Sequence, residues 1–253
     1  MSWGTRRRNT IVWVIILFIT VPVVFYAYKT FYHAPTCFDG KKNGGEFGVD
    51  CGGSCELLCK ADALAPIVLW TRYFTVSPGT YNALVYVENP NPDAGIDEIK
   101  YVFRLYDKDN ILIQERNGVA KIPPKAVFPI TENGLFTNSQ IATRATFEFA
   151  EDFIWTRKEP QKPLILVRDE NLLNSDTDPR VTAELQNITL QKIKDIEVVA
   201  ILYDEEDNAV KSSTTFIEEM NKNEIVSVVF TWPAPFEMSI SRVEIIPLYE
   251  ASQ

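Results

Sequence analysis

The stretch CFDGKKNGGEFGVDCGGSCELLC, residues 37–59, holds all four cysteines of a 253-residue chain. Cys37, Cys51, Cys55 and Cys59 are spaced C-x13-C-x3-C-x3-C. A dithiol redox centre needs C-x-x-C, which this spacing lacks. A four-thiolate zinc site places two close cysteine pairs well apart, whereas this segment has a single close cluster. An even set of cysteines in an oxidising compartment points first to two disulfides, and spacing leaves all three pairings open. Asp39, Asn43, Glu46 and Asp50 interleave with the sulfurs, and six glycines fall between residues 40 and 53. Carboxylates, a side-chain amide and glycine-freed carbonyls are the hard oxygen donors that calcium gathers in sets of about six to eight. The spacing is not that of an EF-hand loop. Two readings stand: a solvated Gly-rich loop pinned by disulfides, or the same loop also holding calcium.

Which compartment surrounds the cysteines depends on what precedes them. Ile11–Tyr28 is 18 residues without a charge, about 27 Å as a helix against a hydrocarbon core of roughly 30 Å. Trp13 sits near one end and Tyr26, Tyr28, Phe31 and Tyr32 near the other, where amphipathic rings favour the interface. Arg6, Arg7 and Arg8 precede the run, and only Lys29 and His33 follow closely, which predicts a cytoplasmic N-terminus and an extracytoplasmic body. A cleaved signal peptide has a similar layout, but this run is longer than the usual apolar core and lacks a small-x-small site after it. The reading is a single-pass anchor in the cell membrane: a tail over 1–9, a span over 10–29 and a cysteine-rich neck over 30–63. Beyond Pro35 the chain carries 21 Lys and Arg against 34 Asp and Glu. So acidic a body argues against nucleic acid as a partner.

The neck pattern C-x-D-G-x-x-N-x-x-E-x-x-x-D-C-G-G-x-C-x-x-x-C resembles a short cysteine module of surface and secreted proteins of bacteria and related microbes. That resemblance implies an exported, disulfide-bearing module and brings no catalytic residue.

The remainder reads as one unit written twice. PIVLWTRY (66–73) matches PLILVRDE (163–170), LVYVEN ending at Asn89 matches TAELQN ending at Asn187, and TRATFEF (143–149) matches SRVEIIP (241–247), all at offsets of 97 or 98. Leu105-Tyr106-Asp107 recurs as Leu202-Tyr203-Asp204 at an offset of 97. Within each copy, short runs alternate apolar and polar residues, as half-buried strands do, and Asn-, Asp- and Pro-rich turns separate them. About seven strands in about 95 residues predict a mainly β fold: two tandem immunoglobulin-like β-sandwiches over 64–158 and 159–253, behind one transmembrane helix and a small disulfide-rich module. The short, charged, Pro-bearing Arg157–Pro163 linker predicts a semi-rigid tandem.

Phe103-Arg104-Leu105-Tyr106-Asp107 resembles the signature of FxLYD domains, small immunoglobulin-like sandwiches of exported microbial proteins. The second copy has Ala200 in place of the phenylalanine and keeps Leu202, Tyr203 and Asp204. The resemblance implies a non-catalytic, accessory extracellular module.

Catalytic constellations are sparse in the sequence. His33 is the one histidine and lies beside the apolar run, so the body offers no Ser-His or Cys-His pair. Acid pairs such as Asp107/Asp109 and Glu205/Glu206 lie in turn contexts, where solvated loop acids are the ordinary case. Trp70, Trp155 and Trp232 read as core or linker aromatics, and Asn187-Ile188-Thr189 fits the glycosylation triplet. The expected function is therefore non-catalytic: binding or scaffolding in the cell envelope, with an envelope protein or glycan as partner and no required cofactor. A subunit of a secretion or pilus-like membrane assembly is the alternative, and a calcium-dependent hydrolase the remote one.

Overall fold

The computed structural model describes residues 3–32, 34–160 and 164–249, without the side chains of Thr5 and Arg6. His33 and most of the linker's C-terminal end therefore lie outside the described residues. The chain divides into two compact units, 1–57 and 58–253.

The first unit opens with α1 (Trp3–Phe31), with Pro22 inside it. It begins earlier than the expected span and includes Arg7 and Arg8, the Arg7 guanidinium lying 5.7 Å from the Trp3 ring centroid. Its Arg7–Phe31 portion has a mean hydropathy of 2.5 over its most apolar window and buries nothing inside the protein. It is long and apolar enough to cross a membrane, and a signal sequence has the same properties. Residues 34–57 then form a succession of turns. Gly53 has a φ of +61°, and a Cβ there would stand 2.0 Å from the Gly45 carbonyl oxygen, so only glycine fits that crossing.

The second unit is all β. In chain order the strands are β1 (Ile67–Ser77), β2 (Thr80–Glu88), β3 (Ala94–Tyr106), β4 (Leu112–Ile122), β5 (Val127–Phe136), β6 (Arg144–Phe149) and the two-residue β7 (Thr156–Arg157). The second copy follows with β8 (Ile165–Leu173), β9 (Arg180–Asn187), β10 (Ile193–Tyr203), β11 (Ala209–Met220), β12 (Ile225–Thr231) and β13 (Arg242–Leu248). Antiparallel sheet β1-β2-β5 covers β4-β3-β6, and β12-β9-β8 covers β11-β10-β13. The two topologies correspond strand for strand. Each sandwich has six principal strands rather than seven, with β7 pairing only Ala94 and Gly95 at the start of β3. Alternation supplies the cores: Tyr81, Ala83, Val85 and Val87 of β2 face Tyr101, Phe103 and Leu105 of β3, and Val181, Ala183 and Leu185 of β9 face Val198, Ala200 and Leu202 of β10.

The sandwiches are more than tethered. A third apolar cluster joins Phe74 and Leu84, on the outer face of the first sandwich, to Val199, Ile201, Tyr203 and Ala209 of the second, with Trp70, Tyr86, Ile246 and Leu248 packed around it. Polar bonds flank it: Arg72 donates to Asn208 Oδ1 at 2.9 Å and to the Ala209 carbonyl at 3.2 Å, and Thr131 donates to Glu197 at 2.9 Å. Tyr86 and Tyr203 both donate to Glu244, at 2.9 and 2.7 Å. Burial, then the Glu244 carboxylate, push both phenols well above the usual tyrosine range, which keeps them as donors.

This docking explains a difference between the copies. In β3, Phe103 and Leu105 are buried while Arg104 between them is held at the surface by Glu115 and Glu148, at 2.7 and 2.6 Å. In β10, Ile201 stands at the place of Arg104, and every residue from Val198 to Tyr203 is buried. A strand covered on both faces reads as a continuous apolar run, and Val198–Leu202 is one.

Ile201→Arg would place an unpaired charge in the third cluster at a cost of several kcal/mol. We expect small-angle scattering to show a larger radius of gyration and thermal unfolding to broaden or split. Arg104→Ile, on the first sandwich's free face, should leave the scattering curve unchanged. A compact Ile201→Arg protein would refute the seam.

Candidate functional site

In the module, Cys37 pairs with Cys55 at an S–S distance of 2.02 Å and a Cα–Cα distance of 5.7 Å. Cys51 and Cys59 are disulfide-bonded as well, and no cysteine is free. All four sulfurs are therefore oxidised, as expected, and none remains as a thiolate to ligate zinc or attack a substrate.

The interleaved acids point into the loop's own backbone. The Asp50 carboxylate accepts the amide N–H of Asp39 at 3.0 Å and that of Gly40 at 2.8 Å. Asp39 accepts the Lys41 amide and the Asn43 side-chain amide, both at 2.9 Å. The Asn43 bond is the chief cause of a lowered Asp39 pKa, against a smaller opposing effect of burial. Glu46, only 8% exposed, accepts the amides of Asn43 at 3.3 Å and Asp50 at 3.2 Å. Asp39, Asn43, Glu46 and Asp50 thus form a circuit closing residues 39–50 on themselves. The tightest gathering of potential metal ligands among the described residues is Cys37, Glu46 and Cys55, whose ligand atoms lie within 4.8 Å of one another. Both of its sulfurs belong to the disulfide, which leaves one carboxylate. Asn43 Oδ1 is buried without a hydrogen-bond partner.

The repeated motif has a local structural explanation in both copies. Leu105 and Leu202 are fully buried core residues, and Phe103 joins the first core. Asp107 Oδ1 accepts the amides of Asp109 and Ile111, both at 2.9 Å. Asp204 Oδ1 accepts those of Glu206 and Asn208, at 3.1 and 2.7 Å. Each aspartate closes the turn that leaves its strand. Arg144 lies over the Tyr106 ring at 4.2 Å and Arg242 over the Tyr203 ring at 3.7 Å.

A second duplicated device is Asn89, whose amide donates to the carbonyls of Ala94 and Pro123 at 2.7 and 2.8 Å. Asn187 donates to Gln191 and Asn221 in the corresponding loops, at 2.8 and 2.9 Å. Asn187, the first residue of the triplet Asn187-Ile188-Thr189, is 0% exposed. A glycan cannot be attached there in the folded state. Trp155 and Trp232 are buried and Trp70 lies at the seam, as their reading as core or linker aromatics anticipated.

Among the surface clefts of the second unit are two wide, open ones. One, of about 420 Å³, lies by Leu172, Asp176 and Phe236. The other, of about 370 Å³, lies between the sandwiches, with Thr71, Arg72, Tyr73, Thr143 and Arg144 in its wall beside β11. Sequence reading passed over Arg72, Arg144 and Glu244. The signal for Arg144 was present, because it stands 98 residues before Arg242 within the matched strings.

No family model matches the chain, and no curated protein matches it. Among solved structures it is similar to red sea bream transglutaminase at 9% identity and a TM-score of 0.24, over 74% of this chain and 32% of that one. The chain thus spans about a third of that protein, and so low a score carries no functional argument.

Proposed function

We propose that this chain is a single-pass, membrane-anchored protein that presents a disulfide-pinned neck and two FxLYD-type, immunoglobulin-like sandwiches outside the cell membrane, as a non-catalytic binding or scaffolding element of the envelope. The observation that carries this reading is the third apolar cluster, which makes the two sandwiches one block with a fixed relative orientation. A scaffold needs such rigidity to present separated surfaces to a partner without an ordering cost on binding. The oxidised cysteines suit an extracytoplasmic compartment, and the span supplies the anchor. The partner would be an envelope protein or glycan.

Protease added to intact cells should degrade residues 34–249 and leave a short protected N-terminal fragment. In-cell crosslinking should capture the same partner reproducibly. Protection of the whole chain would overturn the topology, and reproducible absence of any crosslinked partner would overturn the scaffold role.

Within the neck we assign Asp39, Glu46 and Asp50 to holding the loop closed. Asp50→Ala should lower the module's stability by on the order of 1 kcal/mol through loss of its bonds to the Asp39 and Gly40 amides, read as earlier reduction of the disulfides in a dithiothreitol titration. The loss should be equal with millimolar calcium and with a chelator. A calcium-dependent difference in the native protein would instead assign these oxygens to an ion.

A further inference from the structure

The cysteine module engages its acids and leaves its large apolar side chains outside. Asp50 holds the Asp39 and Gly40 amides, Glu46 those of Asn43 and Asp50, and Asp39 that of Lys41. Phe38, by contrast, is 87% exposed, Phe47 69% and Val49 56%. Lys41 and Lys42, in the intervening turn, are exposed too.

The same bonds gather these side chains. The Asp50 carboxylate joins the residue after Phe38 to the residue after Val49. The amides of Phe47 and Gly48 both donate to the Cys51 carbonyl, at 3.1 and 3.0 Å, so residues 47–51 turn tightly on themselves. Three exposed apolar side chains thus flank one hydrogen-bonded junction. Apolar groups clustered at a surface and rimmed by polar ones mark a contact with a protein or a membrane.

Chain length favours the membrane. α1 and the module belong to one compact unit. The uncharged run of α1 ends at Tyr28, before Lys29, and the rings of Tyr28 and Tyr32 stack there with centroids 4.8 Å apart. Aromatic side chains of that kind favour the boundary between hydrocarbon and headgroups. Phe38 follows Phe31, the last residue of α1, by seven positions, a length over which a chain reaches at most about 25 Å. A bilayer crossed by α1 therefore lies within reach of the module. Apolar side chains in the boundary layer with lysines among them is also how amphipathic segments lie on a bilayer, because lysines gain from lipid phosphates.

We propose that the module docks on the lipid surface beside the span, with Phe38, Phe47 and Val49 entering the boundary between headgroups and acyl chains and Lys41 and Lys42 on lipid phosphates. The docking rests on the anchor reading above and goes beyond it, because it makes the neck a second membrane contact rather than a spacer.

The test is photocrosslinking of the full chain in vesicles of equal parts phosphatidylcholine and phosphatidylglycerol. p-Benzoylphenylalanine is placed singly at Tyr28, Phe38, Phe47 or Glu56, and lipid adducts are counted by mass spectrometry. Glu56 is exposed in the same module and held by the same tether, but is acidic. Tyr28 should give adducts, and Phe38 and Phe47 at least about tenfold more than Glu56, the preference expected of a buried phenyl ring. Lys41→Glu/Lys42→Glu should lower the yield at Phe47 by about fivefold or more. Adducts at Tyr28 with none at Phe38 and Phe47, or with equal yields at Phe38, Phe47 and Glu56, would overturn the docking and leave the anchor standing. An unchanged yield in the double lysine variant would overturn the phosphate contact. No adduct at any position would overturn the anchor and the docking together.

Discussion

The apolar seam formed by Phe74 and Leu84 against Val199 and Ile201 is the constraint on which the body of this protein depends. A sandwich ordinarily leaves its outer faces to water. Here two outer faces are covered by one another, so β10 lies between two cores. Burying each large aliphatic side chain contributes on the order of 1.5–3 kcal/mol, and the seam contains several. That is comparable to the whole net stability of a small domain, on the order of 5–15 kcal/mol. The flanking bonds from Arg72, Tyr86 and Thr131 add orientation, because each would be left unpaired by a rotated or shifted docking.

Seen this way, the repeat divides into what the backbone requires and what the surroundings permit. Asp107 and Asp204 close the same turn, and Asn89 and Asn187 tie the same loops, because those jobs are local and identical in both copies. Outward positions differ where their neighbours differ. Arg104 faces solvent and is held by two glutamates, whereas Ile201 faces the other sandwich. Glu244 serves the seam as well as Arg242, accepting Tyr86 from the opposite sandwich. Thr146, in register with Arg104 on the first sandwich's free face, has no such seam to serve.

Much of this was legible in the sequence, and the rest was hidden for definite reasons. Period-two alternation and the repeated Leu-Tyr-Asp expose the strands and the duplication, since both are properties of neighbouring residues. The pairing of Cys37 with Cys55 is not such a property. It depends on a Cα–Cα distance of 5.7 Å that spacing along the chain does not set. The docking of the sandwiches left a trace in the unbroken run from Val198 to Leu202, easily taken for an ordinary buried strand. The Asn187-Ile188-Thr189 triplet shows a further limit, because a short motif carries no information on burial. Asp39, Glu46 and Asp50 show a different limit: an oxygen donor suited to calcium is equally an acceptor for backbone amides, and the sequence does not show the amides it meets in the fold.

The neck shows the opposite economy from the seam. Residues 34–57 contain no helix or strand, and Phe38 and Phe47 remain largely exposed rather than forming a core. A segment of that length cannot recover its ordering entropy by burying apolar surface. Order must come from cross-links that act without a core. The disulfides restrict the unfolded chain, and carboxylate-to-amide bonds, stronger than neutral ones, restrict the folded loop. The same reasoning accounts for the glycines: a loop turning back at Asp50 and crossing itself at Gly53 needs backbone conformations and close approaches that a side chain would block. The C-x-D-G to D-C-G-G pattern therefore specifies a fold without a hydrophobic interior, and its acids and glycines are as structural as its sulfurs.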